Sequence, residues 1–365
     1  MRIAGLTLVA LVACNNGEQT TDSGLTAPTG ANTTPGTGAT GGATGTTAAT
    51  DAGTASDGGT TGVLDTGSPT TTTPTTGGPK LDLAQPDAGT GDGGCTKIDF
   101  LFVIDNSNSM AAEQDYLTAA FPGFIAAIQQ ALPDTSEYQI GVTKTDVFGF
   151  DDNPTPDPAN PCPYALGGLI SHATPDGQKT GTGASCGFAS GENFMTAGPT
   201  LAAEFACAAK VGVKGNTGET QAAALLAAVG PELAAPGACN AGFVRPDALL
   251  VVVMITDEDD DWSPPDADAA TNAAAWSAGL VAAKDGLAQN VAFILISGGD
   301  PRWPECKDIN DMDFTGAAAS PKLTALAKTF AGNSLGSVCQ AGYEAYLADA
   351  IATISTACDN FTPPG

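Results

Sequence analysis

Residues 101–109 of this 365-residue chain read LFVIDNSNS, an apolar run followed directly by a polar loop. The apolar half has the length and composition of a buried β-strand. The polar half places Asp105, Ser107 and Ser109 at alternate positions of a tight turn. Oxygen atoms spaced in this way can converge on a hard cation such as Mg²⁺, which takes few protein ligands and retains water. The stretch therefore predicts a strand ending in a divalent-metal loop; the alternative is an ordinary turn, where Asp and Ser are also common.

Further apolar runs lack the alternation that a half-exposed strand requires. Ile98–Ile104, Ala248–Thr256 and Val291–Ser297 predict strands buried on both faces, and Tyr138–Thr145 predicts a fourth. The segments between and after them have a helical spacing of apolar residues or are rich in alanine. They predict helices at Ala111–Leu132, Thr220–Val229, Asp266–Ala288, Pro321–Phe330 and Ala341–Ala357. The succession predicts an α/β fold, with a doubly wound, mainly parallel sheet flanked by helices.

Two of the predicted strands lead directly into carboxylates. Ile104 precedes Asp105, and Ile255-Thr256 precedes Asp257. Ligand sites of open α/β sheets form outside the carboxyl ends of the strands. Both acids should therefore lie at one edge of the sheet, although either one alone could be a solvated turn residue or a helix cap.

The first 94 residues predict an export signal and a linker. Residues 1–14 have a basic start, an apolar stretch and the ending Leu-Val-Ala-Cys, which resembles the lipobox of bacterial lipoproteins and implies acylation of Cys14. The alternative is a secretory signal with an incidental cysteine. Residues 15–94 consist mainly of Thr, Gly, Ala, Ser, Pro and Asp, and such a composition predicts a disordered stalk.

The globular part is predicted to be one acidic domain, residues 95–365. It carries 32 acidic and 11 basic residues, within a chain of formal net charge −27. This balance argues against nucleic acid and anionic lipid surfaces as partners and favours cations. Beyond the lipid anchor, no contact with a membrane is expected.

Eight cysteines remain after Cys14, an even number that predicts disulfides in an exported chain. Cys95 is predicted to pair with Cys358 because the two bracket the domain. Local pairs, Cys306 with Cys339 and Cys162 with Cys186, are weaker predictions. Cys207 and Cys239 complete the set.

The chain resembles the von Willebrand factor A domain family from Lys97 to about Cys358. Asp105–Met110 (DNSNSM) fits the family's metal-ion-dependent adhesion site, Gly215-Asn216-Thr217 fits its threonine loop, and Ile255-Thr256-Asp257 fits its later strand-end aspartate. The wider arrangement looks like predicted bacterial lipoproteins that carry this domain.

The resemblance implies a role for each metal-site position. Ser107, Ser109 and Thr217 would bind the metal directly, while Asp105 and Asp257 would supply charge, largely through bound water. The implied metal is Mg²⁺, with Mn²⁺ or Ca²⁺ as alternatives. An open coordination position would accept a carboxylate from a protein partner.

Four features depart from the family pattern. Asn108 replaces the usual Gly between the serines, and Glu258 stands where Gly is frequent. Thr220 rivals Thr217 as the threonine ligand, and either could instead cap the following helix. A long Cys-containing insertion, at about residues 147–200, has no counterpart in compact versions of the fold and is expected near the metal edge.

Other polar and aromatic residues have plainer interpretations. The acidic run 257–261 is expected to be a solvated loop, with a second Ca²⁺ position as the alternative. The single histidine, His172, is expected at the surface. The tryptophans Trp262, Trp276 and Trp303 are expected to be one core residue and two partly exposed ones.

These observations predict a non-enzymatic, lipid-anchored adhesion module of the bacterial cell envelope, attached to the outer membrane on its periplasmic face or at the cell surface. One alternative is a structural envelope protein whose metal fastens loops together. The other is a metal-dependent hydrolase, which is disfavoured because no separate general base is evident.

Overall fold

One six-stranded sheet organises the chain in the computed structural model, which describes residues 94–146, 161–175, 182–216, 218–261, 268–299 and 316–364. The strands are Lys97–Ile104 (β1), Glu137–Lys144 (β2), Met195–Thr196 (β3), Leu249–Ile255 (β4), Val291–Ser297 (β5) and Gly332–Ser337 (β6). The α-helices are Ala111–Ala131 (α1), Leu201–Ala208 (α2), Gln221–Val229 (α3), Pro231–Ala234 (α4), Ala269–Ala282 (α5), Pro321–Ala327 (α6) and Glu344–Asp359 (α7). Short 3₁₀ turns lie at Cys162–Tyr164 and Ala288–Asn290.

The order of strands across the sheet is β3-β2-β1-β4-β5-β6. Only β3 runs antiparallel to its neighbour, so the sheet is mixed but mostly parallel. In the register, Ile104 at the end of β1 lies opposite Lys144 on one side and Ile255 on the other. The carboxyl ends of β1, β2 and β4 therefore lie together at one edge.

Both faces of the sheet are covered by helices, and for this reason the central strands are apolar at nearly every position. Ile98, Phe100, Phe102 and Ile104 face one core, formed with α1, α2 and α7. The intervening Leu101 and Val103 face a second core with α3, α5 and α6. The predicted α/β class and the four predicted strands are confirmed, each within one residue at either end.

The first helix contains a proline. Proline inside a helix commonly kinks or breaks it, but α1 continues through Pro122, from Ala111 to Ala131. Apolar residues on both sides of the proline are packed: Phe121 stacks on Phe205 at a ring distance of 3.6 Å, and Phe124 meets Phe100 edge-on at 5.7 Å. The packing on both sides stabilises the helix enough to compensate for the backbone hydrogen bond that the proline cannot donate.

Several elements were not predicted. β6 reads GNSLGS, a sequence poor in strand-forming residues. Its Gly336 allows Tyr346 of α7 to lie against the backbone, because a Cβ there would come within 2.7 Å of the tyrosine ring. β3 lies within the predicted insertion and α2 follows it directly; part of the insertion (147–160 and 176–181) lies outside the described residues.

A buried ion pair and a disulfide stabilise the amino edge of the sheet, where β1 begins. Asp99 of β1 is fully buried and accepts hydrogen bonds from the Arg245 backbone N–H at 2.7 Å and from Nε at 2.8 Å. The Cys95–Cys358 disulfide joins residues 263 positions apart at the same edge. This pairing confirms the prediction that the two cysteines bracketing the domain lie close together.

The local disulfide prediction for Cys162 and Cys186 is wrong. Cys162 is bonded to Cys239, and Cys186 to Cys207. The bonded pairs are 77 and 21 residues apart, compared with 24 for the predicted pair, so sequence separation does not indicate which of these cysteines meet. Cys339 is also disulfide-bonded. Its predicted partner Cys306, like Cys14, lies outside the described residues, so that pairing stays a prediction.

The disulfides also bear on where the protein resides. Three described disulfides are typical of an oxidising extracellular or periplasmic environment. Within the described ranges, no helix has both the length and the apolarity needed to span a membrane.

Candidate metal centre

The site is built where β1 and β4 end side by side. The Asp105 backbone N–H donates to Ile255 O at 3.0 Å, and the Thr256 N–H donates to Ile296 O at 3.1 Å, so the ladder continues one residue beyond the strands. Asp105 and Asp257 then leave the sheet at the same edge. Both are buried, with 0% and 2% of their surface exposed.

The loop after β1 is folded around the Asp105 carboxylate. Its Oδ1 accepts the Ser107 backbone N–H at 2.7 Å, and the hydroxyls of Ser107 and Ser109 lie 3.3 Å apart. The Ser109 hydroxyl is also near enough to Asp257 to lower the pKa of that carboxyl. Four of the five predicted ligands, Asp105, Ser107, Ser109 and Asp257, are thus brought together.

A second layer of polar residues holds Asp105 in place. Thr256 Oγ1 donates to Asp105 Oδ2 at 2.6 Å and accepts from Gln221 Nε2 at 3.0 Å. Gln114 Nε2 donates to the Asp105 carbonyl at 3.1 Å and to Gly212 O at 2.8 Å. The sequence identified Thr256 only as part of the strand end, and it did not indicate the roles of Gln114 and Gln221.

The predicted threonine loop reaches the same edge. Gly215 N–H donates to Asn106 O at 2.8 Å, and a Cβ at position 215 would lie within 2.6 Å of the Asn106 side chain. The Asn216 N–H donates to Asp146 Oδ2 at 2.5 Å. Thr217 itself lies outside the described residues, between two segments that both contact this edge.

Thr220, the alternative threonine ligand, is hydrogen-bonded to the backbone of Thr145, the residue that follows β2. Its hydroxyl donates to the Thr145 carbonyl at 2.5 Å and makes no capping hydrogen bond to α3. Asp260 caps α3 instead: its Oδ2 accepts a hydrogen bond from the Ala222 N–H at 3.0 Å. The expectation that Thr220 might cap this helix is therefore not met.

The acidic run 257–261 is not simply a solvated loop, and this expectation is corrected. Asp260 is buried, and Asp259 accepts the N–H groups of Lys322 and Leu323 at the start of α6, both at 3.2 Å. Carboxylates at helix N-termini satisfy N–H groups that lack partners within the helix. Two of the five acids therefore connect helices α3 and α6 to the carboxyl edge of the sheet, while Asp261 is exposed.

Burial and mutual repulsion raise the pKa values of the carboxyl groups at this edge. Burial, then the Asp105 charge, raises the pKa of Asp257 to about 7, of Glu258 to about 8 and of Glu219 to about 10. Burial also raises the pKa of Asp105. In the part of the chain that the structure describes, no Lys, Arg or His forms an ion pair with any of these four residues.

Four buried oxygens near Asp105 lack a hydrogen-bond partner: Glu113 Oε2, Asp257 Oδ1, Glu219 Oε1 and Gln221 Oε1. Buried polar atoms are normally paired, or satisfied by water or an ion. Carboxylate and hydroxyl oxygens around such atoms fit a hard cation. Among the described residues, no group of three or more His, Cys, Asp or Glu side chains is arranged to hold a metal. The predicted set contains only two, and hydroxyls complete it.

The other residues considered from the sequence are His172 and the three tryptophans. His172 is partly buried, and its backbone bridges to Ser185 in an isolated antiparallel pair. Trp276 is partly buried, packed against the core on the α3, α5 and α6 side. Trp262 and Trp303 lie outside the described residues.

Comparison with known proteins gives only distant similarity. No family model matches the chain, and no curated protein matches it. Two solved structures of proximal thread matrix protein 1 from the mussel byssus are similar, each with 12% sequence identity over 72% of this chain. Their TM-scores are 0.36 and 0.32, and the match covers 49% and 46% of their lengths, so this chain spans about half of those proteins.

Proposed function

We propose that this chain is a cation-dependent binding module of an exported protein. Mg²⁺ would be held at the edge formed by Asp105, Ser107, Ser109 and Asp257, with Thr217 as a further ligand. Mn²⁺ and Ca²⁺ are alternative occupants. The arrangement corresponds to the metal-dependent adhesion site of the von Willebrand factor A domain family, which the sequence of these loops resembles.

One observation carries this proposal: Asp257 Oδ1 is buried and unpartnered beside a second buried carboxylate, with two hydroxyls next to them. An unpaired buried charge is costly, so buried carboxylates normally pair with cations or bind metals. No cationic side chain of the described residues pairs with either aspartate. A divalent cation would supply the missing charge.

The neutral ligands favour binding over catalysis. Hydroxyl oxygens add no charge, so Asp105 and Asp257 together would only balance a divalent cation. Mg²⁺ also keeps some of its coordination positions for water or an outside ligand. An acidic residue of a protein partner could occupy such a position. A hydrolase would in addition need a general base within hydrogen-bonding reach of a metal-bound water.

The N-terminal sequence indicates where in the cell the protein would act. Acylation of Cys14 would anchor the protein in a bacterial envelope membrane, with the outer membrane as the proposed site. Because β1 runs from the amino edge near Cys95 to the carboxyl edge at Asp105, the proposed binding edge lies opposite the point where residue 94 enters the domain.

The test is a titration of the cation-free protein with Mn²⁺, followed by water-proton relaxation to detect exchangeable water on the bound ion. We expect one site in the wild type, at least one exchangeable water, and displacement of that water by acetate. D105N should lose the site and keep its circular dichroism spectrum. D247N is the matched control, since Asp247 lies at the amino edge and pairs with Lys97 at 2.8 Å.

Two results would contradict the proposal. Absence of Mn²⁺ binding to the wild type would remove the metal centre altogether. Binding of an ion without exchangeable water would favour the alternative of a structural metal that only fastens the loops.

A further inference from the structure

Gln114 is a buried amide that neither the motif nor the predicted ligand set includes. It lies in the first turn of α1, and only 4% of its surface is exposed. Its Nε2 donates two hydrogen bonds, to the Asp105 carbonyl at 3.1 Å and to the Gly212 carbonyl at 2.8 Å. These acceptors are 9 and 98 positions away in the chain. One side chain therefore connects two loops that are distant in the sequence.

The segment 212–216 is held against the loop after β1 at two points. At its start, the Gly212 carbonyl accepts the Gln114 amide, and the Gly212 backbone has a φ of 92°, a conformation that favours glycine. Towards its end, the Gly215 N–H donates to the Asn106 carbonyl at 2.8 Å, at a position where a Cβ would not fit. Gln114 therefore supplies a side-chain contact at the start of the segment, and the backbone supplies the second contact.

We propose that Gln114 is a positioning residue of the cation site, which fixes segment 212–216 so that the next residue, Thr217, reaches the ion. The proposal rests on the cation-dependent function given above, in which Thr217 is a ligand. Gln114 is not itself a ligand and acts through the two carbonyl groups to which it donates. A neutral amide adds no charge to the site, so this role does not depend on the protonation of the nearby carboxyl groups.

This role has a consequence that a purely structural role would not have. Without the amide donor, two carbonyl groups lose their partner, and segment 212–216 is no longer held at its start. The hydroxyl of Thr217 would then be lost from the ion. Small divalent cations that prefer six oxygen ligands replace a lost protein ligand with water. The bound ion should therefore gain a water, whereas a substitution that only destabilises the fold would leave the hydration of the ion unchanged.

The experiment uses the full chain and compares the wild type with Q114M, T217A and the double variant Q114M/T217A. Met has nearly the shape of Gln but no N–H donor. Titration with Mn²⁺, followed by water-proton relaxation, measures both the affinity and the number of exchangeable waters. For Q114M we expect the affinity to fall about tenfold, within the range known for residues around metal ligands. Its bound ion should carry about one more exchangeable water than in the wild type, as in T217A.

The double variant separates positioning from general destabilisation. If Gln114 acts through the segment that leads to Thr217, its substitution should have little further effect once the hydroxyl is absent. Q114M/T217A should then bind Mn²⁺ within about twofold of T217A. Losses that multiply in the double variant would overturn the proposal. Wild-type hydration of the ion in Q114M would overturn it too, as would wild-type affinity in T217A.

Asn290 offers a matched control. It is 1% exposed, and its side chain donates to the Thr362 carbonyl at 2.7 Å and accepts the Thr362 N–H at 2.9 Å. It directly precedes β5, at the edge of the sheet opposite the cation site. N290L also loses two buried hydrogen bonds with the backbone, but it should bind Mn²⁺ like the wild type. A tenfold loss of affinity in N290L would mean that loss of stability alone weakens binding, and would overturn the role of Gln114.

Failure of Q114M to fold would make Gln114 a structural residue and would also overturn the proposal. If the wild type does not bind Mn²⁺, or if D105N binds it normally, the cation-dependent function fails and the proposal fails with it. Loss of binding in D105N, with wild-type binding in Q114M, would refute the inference about Gln114 alone.

Discussion

Thr256 Oγ1 donates a hydrogen bond of 2.6 Å to Asp105 Oδ2, although the two residues are 151 positions apart in the chain. They are adjacent in space because β1 and β4 are parallel neighbours in register. The bond occupies one lone pair of the carboxylate, and the Ser107 N–H fixes the other oxygen. The orientation of Asp105 is therefore determined by two loops that follow neighbouring strands.

The first prediction concerns this bond. Thr256→Val keeps the shape of the side chain but removes the donor to Asp105 and the acceptor for Gln221 Nε2 and the Glu258 N–H. Each buried group left unsatisfied costs roughly 1–3 kcal/mol. We expect a loss of about 3 kcal/mol in the free energy of unfolding, measured by urea denaturation. Thr256→Ser retains the hydroxyl and should lose clearly less; an equal loss in both variants would contradict the assigned role of the bond.

The second prediction is the pH dependence of stability without divalent cations. The pKa values of Asp257 and Glu258 are raised to about 7 and about 8 in the folded protein, from 3.8 and 4.5. The folded state then holds protons that the unfolded chain has already released. The free energy of unfolding should therefore decrease as pH rises from about 4 to about 8, by up to ~1.4 kcal/mol per pH unit for each proton.

The D257N variant removes one of these two titrating carboxyl groups and so tests whether the pH dependence arises at this site. Its stability should fall less steeply than that of the wild type over the same pH range. Saturating Mg²⁺ should also flatten the wild-type profile, since a cation favours the ionised carboxylates. Identical slopes for the wild type and D257N would show that the pH dependence arises elsewhere.

The third prediction compares two disulfides of different loop length. Cys95–Cys358 closes a separation of 263 residues, whereas Cys186–Cys207 closes one of 21. In the chain-entropy account, loss of the longer cross-link should destabilise the domain by about 2 kcal/mol more than loss of the shorter one. Guanidinium denaturation of the two double Cys→Ser variants measures this difference. A larger effect from the shorter loop would mean that local packing around α2 outweighs chain entropy.

The amino-acid sequence by itself determined the central strands and their class of sheet. β1, β4 and β5 are apolar at nearly every position because they are covered on both faces, and this property is visible in any short window. The acids after β1 and β4 follow directly from the ends of those runs. Their meeting at one edge could be predicted because parallel strands end on the same side of a sheet.

Tertiary structure alone decided the features that depend on distant partners. Cys162 pairs with Cys239 because the insertion packs against the segment before β4, a contact that no local spacing encodes. β6 is a strand because β5 supplies its hydrogen bonds, despite its weak propensity. Asp259 and Asp260 cap two helices that come from opposite directions along the chain. Glu219 lies close to the loop after β1 for the same reason, because its partners Thr145 and Asp261 are 74 and 42 positions away in the chain.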